Sequence, residues 1–182
     1  MIRAPYWFFD NILTSQEITT IHKIIKENPT TQKDSPANVK KTAQVKIVSW
    51  KYFKSQFAKL EDNVLIANRQ NFGFQLYPLD DAFTLNVNTY AAKDKAEYAW
   101  HNDMGGRAPG SDQKLTAIIN ISQEPYIGGE LFLADSAPFE IPQLNKPGAM
   151  VVFPCYMTHK VMPVTEGTRT SLSFWVLGPN FV

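Results

Sequence analysis

The order of two residue periodicities predicts an α+β fold, in which strands form a sandwich or jelly roll and helices cover one face. Apolar residues recur at helical spacing in the first part of the chain, and from Phe72 onward the period changes to two. Hydrophobic residues make up 44% of the 182 residues, which is enough for one domain with a proper core. We therefore expect a single domain over 1–182, with helical support at about 14–71 and a jelly-roll core at about 72–178.

The first helix is predicted from a capping signal in "LTSQEITTIHKIIKENP". Thr14 precedes Glu17 by three residues, the arrangement in which each side chain accepts a hydrogen bond from the other's backbone N–H. The helix should run from about Ser15 to Asn28, after which "PTTQKDSPANVKK" is predicted to be a polar loop. A second apolar stripe at helical spacing consists of Phe53, Phe57, Leu60, Val64 and Ala67.

Eight short β-rich runs make up the predicted strands, and Gly, Pro, Asn and Asp separate them. The runs are "FGFQLY", "FTLNVNTYAA", "EYAWHND", "LTAIINIS", "GELFLA", "AMVVFP", "HKVMPV" and "TRTSLSFWVL". Because neighbouring residues of a strand face opposite ways, a double-sheet roll lines its interior with every second residue. Such an interior is a natural place for a buried polar site.

Charge and composition disfavour several partners. Eighteen Lys and Arg against seventeen Asp and Glu give a net charge of +1, which offers no basic surface for nucleic acid. No stretch approaches the ~20 apolar residues of a membrane span, and the N-terminus does not resemble a secretory signal. The single Cys155 agrees with a reducing compartment. We expect a cytoplasmic protein with neither nucleic acid nor membrane as a partner.

Three residues have the chemistry of a metal site that keeps positions open for other ligands. His101 and Asp103 in "YAWHNDMGG" are two residues apart, so in an extended segment both side chains leave the same face. His159 in "FPCYMTHKV" offers a third ligand from a distant strand. Two imidazoles and one carboxylate are the set that holds ferrous iron in non-haem oxygenases.

The last predicted strand carries an arginine on the same face as its polar residues. Arg169 and Ser171 alternate with apolar residues in "RTSLSFWVLGP". An inward arginine beside a metal needs an anion, because burying an unpaired charge is costly, and its planar fork suits a carboxylate. A dicarboxylate cosubstrate would supply that anion.

The segment from about Thr84 to Gly178 resembles the iron(II)- and 2-oxoglutarate-dependent dioxygenases, specifically the prolyl 4-hydroxylase-like branch with its short stand-alone members in bacteria and cyanobacterial phages. The motifs that carry the resemblance are "HND", "YIGGELFL" and "FPCYMTHKVMPVTEGTRTSLSFWV". It implies a double-stranded β-helix, or jelly roll, with the N-terminal helices packed on one face. It also implies that His101, Asp103 and His159 bind Fe(II).

The same resemblance implies a binding site for 2-oxoglutarate. Arg169, ten residues beyond His159, corresponds to the residue that binds the far carboxylate, and Ser171 completes the Arg-x-Ser pattern of the family. Tyr90 resembles the tyrosine that lines this pocket. The family commonly has a glycine between Tyr90 and Tyr98, whereas this chain has a longer spacer without one.

The activity that the resemblance implies is oxidative decarboxylation of 2-oxoglutarate with O2 at Fe(II), giving succinate and CO2, coupled to hydroxylation of a C–H bond. Ascorbate remains open as a further cofactor. The leading hypothesis for the acceptor is a prolyl residue of a protein or peptide, in the cytoplasm of a bacterial or phage-infected cell. The loops at Met104–Lys114 and Lys93–Glu97 are predicted to close over such a chain.

Two alternative functions remain. One is hydroxylation of a free amino acid or other small metabolite, for which isolated residues such as Arg107 could supply a charge clamp. The other is a jelly-roll binding module whose metal takes no part in turnover. Arg169 and Ser171 argue against the binding module, because such a module does not need an arginine that binds a carboxylate beside an open metal site.

Overall fold

The computed structural model describes residues 4–33, 40–104 and 110–181. The helices are α1 (Ser15–Glu27), α2 (Lys54–Phe57) and α3 (Lys59–Ala67). The strands are β1 (Trp7–Phe9), β2 (Thr30–Lys33), β3 (Gln44–Ser49), β4 (Thr84–Ala91), β5 (Tyr98–His101), β6 (Asp112–Asn120), β7 (Ile127–Gly128), β8 (Leu131–Ala134), β9 (Pro138–Glu140), β10 (Met150–Pro154), β11 (Thr158–Val161), β12 (Val164–Glu166) and β13 (Thr168–Gly178).

Two antiparallel sheets form the body of the molecule. The larger has the order β1-β10-β6-β13-β4-β3-β2, and the smaller has the order β5-β11-β8-β9. Buried residues of both sheets, such as Ile118 and Val151 from the larger and Leu131 and Leu133 from the smaller, share one apolar cluster. The sheets therefore face each other, and the predicted jelly roll is confirmed.

The helices cover the outer face of the larger sheet. Ile21 of α1 and Leu60 of α3 lie in the same buried cluster as Leu85, Leu172 and Phe174, whose side chains point away from the smaller sheet. This is the helix packing expected from the two apolar stripes. None of the helices in the described ranges is long and apolar enough to cross a membrane.

Helix α1 is confirmed, together with its cap. The Thr14 side chain accepts from the Glu17 backbone N–H at 3.2 Å, and a Glu17 carboxylate oxygen accepts from the Thr14 N–H at 2.8 Å. A nearby lysine, Lys59 of α3, places its ammonium 2.5 Å from Glu17 and lowers the pKa of that carboxyl. The local signal was sufficient because the capping groups lie within one helical turn.

The strand predictions omitted β1, β2 and β3 before residue 72 and the short strands β7 and β9 after it, and one predicted run is not a strand. Strands β2 and β3 extend the larger sheet within the region expected to be a loop and helical support. The residues of β2 are polar and pair through backbone hydrogen bonds, which composition does not reveal. The run "FGFQLY" is not a strand, because the helical segment continues to Phe72 and ends at Gly73 with a left-handed φ of +73°.

Candidate metal and cosubstrate site

A cavity of about 470 Å³ lies between the two sheets. One wall is the inner face of β4 and β13, where alternate residues point inward as the sequence pattern predicted. The opposite wall belongs to β5 and β11 of the smaller sheet. The inward residues of the first wall are Thr84, Asn86, Asn88, Tyr90, Arg169, Ser171, Ser173 and Trp175.

His101, Asp103 and His159 converge on one point of this cavity. The His101 Nε2 atom is 3.7 Å from Asp103 Oδ1, and the His159 Nε2 atom is 3.5 Å from Asp103 Oδ2. The histidines meet although 58 residues separate them, because β5 and β11 pair antiparallel with His159 directly opposite His101. Asp103 is held close to them by a hydrogen bond from its backbone N–H to the Cys155 carbonyl, at 2.9 Å.

The backbone sets which nitrogen of each histidine can bind a metal. His101 Nδ1 lies 2.8 Å from the Ala99 carbonyl oxygen, and His159 Nδ1 lies 3.0 Å from the Met157 carbonyl oxygen. A carbonyl only accepts, so each Nδ1 carries the hydrogen and each Nε2 keeps its lone pair toward the cavity. Burial, and then the neighbouring His159, lower the pKa of His101, which keeps that imidazole neutral.

Neighbouring side chains hold the three groups in place. The Thr116 hydroxyl donates to Asp103 Oδ2 at 2.7 Å, and the Tyr98 ring stacks on His101 with ring centres 3.5 Å apart. Phe153 contacts the His159 ring edge-on, at 4.9 Å. Sequence reasoning did not single out Thr116, and the only local signal was a threonine between apolar residues at the start of the run "LTAIINIS". The donor set and its support fit an iron site.

Arg169 is buried, and not all of its hydrogen-bond donors have an acceptor. Its residue is 1% exposed, and its Nη1 atom is 3.4 Å from Ser171 Oγ. Its Nε atom has no acceptor, and no carboxylate in the described ranges forms an ion pair with it. The guanidinium carbon lies 5.4 Å from the centre of the Tyr90 ring, whose pKa burial raises to about 12. A buried guanidinium in this state is suited to a bound carboxylate.

Gly129, in the "YIGGELFL" motif, makes room for Arg169. Its φ is +72°, and a Cβ added there would lie 2.7 Å from Cδ of Arg169 and 2.9 Å from Cγ2 of Val164. Real Cβ atoms essentially never come this close to another carbon, so a side chain at this position would have to displace the stem of the arginine. Gly129 is therefore a positioning residue for Arg169.

We expect Gly129→Ala to weaken binding of 2-oxoglutarate to the Mn(II)-loaded protein roughly 10-fold, because small displacements of a positioning group are costly. The matched control is Gly73→Ala, since Gly73 has a φ of +73° and no atom within 4 Å of the added carbon. In both variants an alanine must adopt a left-handed φ, which lowers the stability of the protein by about 1–2 kcal/mol. Titration calorimetry measures the dissociation constants, and equal constants for the two variants would show that Gly129 does not position Arg169.

The fold and this pair of sites define a class of non-haem iron enzymes. The chain belongs to the 2OG-Fe(II) oxygenase superfamily, whose family model matches residues 85–177. That match includes all six residues singled out from the sequence: Tyr90, His101, Asp103, His159, Arg169 and Ser171. Members of this superfamily use Fe(II), 2-oxoglutarate and O2, and the protein is accordingly a dioxygenase.

One relative supports the family, and two solved structures share the fold. A PKHD-type hydroxylase from Crocosphaera subtropica is 30% identical over 178 residues, which cover 92% of this chain and 76% of that protein. A prolyl-4-hydroxylase from Pseudomonas putida has a similar structure, with a TM-score of 0.70 and 17% identity over 98% of this chain and 95% of the other. A viral collagen prolyl hydroxylase from Paramecium Bursaria Chlorella virus-1 gives a TM-score of 0.67 and 15% identity, with 97% of each chain covered.

The structure describes one of the two loops predicted to close over a substrate and only part of the other. Residues 105–109 of the first loop, including Arg107, lie outside the described residues. In the second loop, Lys95 has a left-handed φ of +44°, and Glu97 forms an ion pair with Lys40. Closure of either loop stays a prediction.

Proposed function

We propose that this dioxygenase, as a single domain, hydroxylates a prolyl residue in a protein or peptide, with His101, Asp103 and His159 as its iron ligands. The observation that carries the metal assignment is the approach of two imidazole Nε2 atoms to one carboxylate, at 3.7 and 3.5 Å. Both Nε2 atoms have their lone pairs free of backbone hydrogen bonds, because the carbonyls bind Nδ1. A divalent cation among these atoms would be bound by the two Nε2 lone pairs and the carboxylate.

Arg169 is proposed to bind the distal carboxylate of 2-oxoglutarate, with Ser171 and Tyr90 beside it. The free Nε and the long Nη1 contact with Ser171 leave donors for a bidentate carboxylate. The two negative charges of 2-oxoglutarate, together with that of the Asp103 carboxylate, would offset the charges of Fe(II) and of the guanidinium. The cavity volume of about 470 Å³ is ample for a five-carbon diacid with part of an acceptor beside it.

Bound iron, with 2-oxoglutarate and O2, would supply the oxidation that inserts one oxygen atom into a C–H bond and releases succinate and CO2. The residues of the chain position the reactants and exclude water from them. Tyr98 and Phe153 pack on the ligand imidazoles, and Trp175 lines the same cavity. The Thr116 hydroxyl keeps one oxygen of Asp103 in a fixed direction.

A prolyl acceptor is supported by the relatives and by the restricted backbone conformation of proline. The similar structures include a prolyl-4-hydroxylase and a viral collagen prolyl hydroxylase. The proline ring holds φ in a narrow range, so a proline in an extended segment loses little conformational entropy on binding. We also propose a cytoplasmic location, which agrees with the bacterial relative and with the free thiol of Cys155.

The test of the acceptor is succinate formation with proline-containing peptides, compared with free L-proline and other amino acids. We expect coupled turnover with at least one peptide, and a product heavier by one oxygen atom in mass spectrometry. The Asp103→Ala variant is the control for background decarboxylation. Coupled turnover of a free amino acid, and of none of the peptides, would replace the protein-hydroxylase proposal with the small-molecule alternative.

A further inference from the structure

Two inward asparagines of β4 line the cavity, and their contacts differ. Asn88 is bonded through both ends of its amide: Nδ2 donates to Ser173 Oγ at 2.9 Å, and Oδ1 accepts from Lys41 Nζ at 3.1 Å. Asn86 is 4% exposed, and its side-chain amide forms no hydrogen bond within the described part of the chain. Asn88 therefore has a structural role, whereas the amide of Asn86 is available to a ligand.

The unused amide of Asn86 is unusual for a buried polar group. Such groups normally have a hydrogen-bond partner, because an unmade bond in the interior costs free energy. The residues in register with Asn86 are Ile47 of β3, which has no polar side-chain atom, and Ser173 of β13, whose hydroxyl accepts from Asn88. All of these residues line the cavity, so the amide faces the space that a ligand would fill.

Asn86 lies toward the open end of the cavity. The inward residues of β4 run from Tyr90, which is 3% exposed, to the exposed Thr84, and those of β13 run from the buried Arg169 to the half-buried Trp175. Along β4, Asn86 is about 13 Å from the closed end at Tyr90. The closed end suits the cosubstrate, and the amide of Asn86 lies on the side from which an acceptor enters.

A carboxamide is chemically matched to a polypeptide backbone. The Asn86 side chain offers N–H donors and an oxygen acceptor. In an extended segment the N–H and C=O groups of one residue point to the same side, so a single carboxamide can bond to both. A carboxylate only accepts and an ammonium only donates, so neither charged end of a free amino acid would use both halves of the amide.

We propose that the side-chain amide of Asn86 hydrogen-bonds to the backbone of the acceptor, beside the residue that is oxidised. This inference rests on the proposed function and deepens it, because it names a residue that distinguishes a polypeptide from a free amino acid. Asn86 is a specificity residue in this assignment and takes no part in binding the metal or 2-oxoglutarate.

The test uses a series of peptides in which an ester oxygen replaces one backbone N–H at a time. One series contains a proline, and in a second series alanine replaces that proline. The proteins are the wild type, Asn86→Leu and the control Asn63→Leu. Asn63 lies in α3, outside the cavity, and its amide donates to the Lys59 carbonyl at 2.8 Å. Binding to the Mn(II) and 2-oxoglutarate complex and coupled turnover are both measured.

We expect the wild type and Asn63→Leu to bind the all-amide peptide roughly 5-fold more tightly than the ester at one position, as for a neutral hydrogen bond. Asn86→Leu should lose the preference at that position and keep the wild-type dissociation constants for Mn(II) and 2-oxoglutarate. The wild-type series is informative by itself, since it does not depend on the folding of a variant.

Three results would overturn the inference. The first is a wild type that does not distinguish amide from ester at any position, and the second is a preference that persists in Asn86→Leu. The third is weaker binding of 2-oxoglutarate to Asn86→Leu with unchanged binding of the peptides, which would place Asn86 in the cosubstrate site.

The two peptide series separate this inference from the proposed function. Oxidation of the proline peptides without any dependence on Asn86 would leave prolyl hydroxylation standing and remove the role of Asn86. Oxidation of the alanine series that depends on Asn86 would do the reverse. Turnover of free amino acids, with no peptide bound or oxidised, would overturn both.

Discussion

Replacing Asp103 with Ala is expected to abolish metal binding and turnover while the protein still folds. The Asp103 carboxylate supplies the only negative charge in the described lining of the cavity and lies between the His101 and His159 imidazoles. A divalent cation left with His101 and His159 alone loses one of its three protein ligands and its charge partner. The backbone hydrogen bond from residue 103 to Cys155 survives in the alanine variant, so the local chain path is kept.

A graded control comes from Thr116→Val, which keeps all three ligands and removes the hydroxyl that donates to Asp103 at 2.7 Å. Loss of such a supporting hydrogen bond typically costs about 10–100-fold in metal affinity. Mn(II) titration and succinate formation should therefore rank wild type, Thr116→Val and Asp103→Ala in that order, with unchanged circular dichroism. Wild-type turnover by Asp103→Ala would show that the ligand assignment is wrong.

Replacing Arg169 with Leu is expected to raise the Michaelis constant for 2-oxoglutarate strongly. The guanidinium is buried beside Ser171 with an Nε that lacks an acceptor, and the loss of a buried charge-assisted pair costs about 1.5–3 kcal/mol. That free energy corresponds to roughly 10-fold to 150-fold in the constant. Metal affinity should stay near that of the wild type, because Arg169 is not one of the three clustered ligand residues.

Arg169→Lys separates charge from geometry at this position. Lysine keeps a positive charge but cannot form two parallel hydrogen bonds to one carboxylate, so we expect an intermediate constant. Ser171→Ala should have a smaller effect, since Ser171 contacts the guanidinium only at 3.4 Å. An unchanged constant in Arg169→Leu, measured as Michaelis constant and as dissociation constant on the Mn(II) protein, would exclude the role in cosubstrate binding.

Local patterns were sufficient wherever the interacting groups lie within a few residues of one another. The capping pair Thr14 and Glu17 marked the start of α1, and period-two alternation identified the inward rows of β4 and β13. The spacing of His101 and Asp103 indicated that both side chains reach one point. The class of fold and the grouping of His101 with Asp103 could therefore be predicted from the sequence.

Local patterns failed where backbone pairing or the path of a loop decides the outcome. The polar residues of β2 form a strand because they pair with the edge of β3. The alternating aromatics Phe72 and Phe74 do not form a strand, because the helical segment ends between them. Neither outcome is encoded in the hydrophobicity of the segment itself.

The sequence by itself determined the kinds of side chain at the site, and the tertiary structure decided which of them meet. His159 reaches His101 only through the register of β5 and β11, Gly129 makes room for an arginine 40 residues away, and Lys41 from a polar segment lines the cavity. Each of these contacts joins segments distant in the chain, and its position follows from strand pairing and from packing between the sheets. Those interactions depend on the whole fold, because no local window contains both partners.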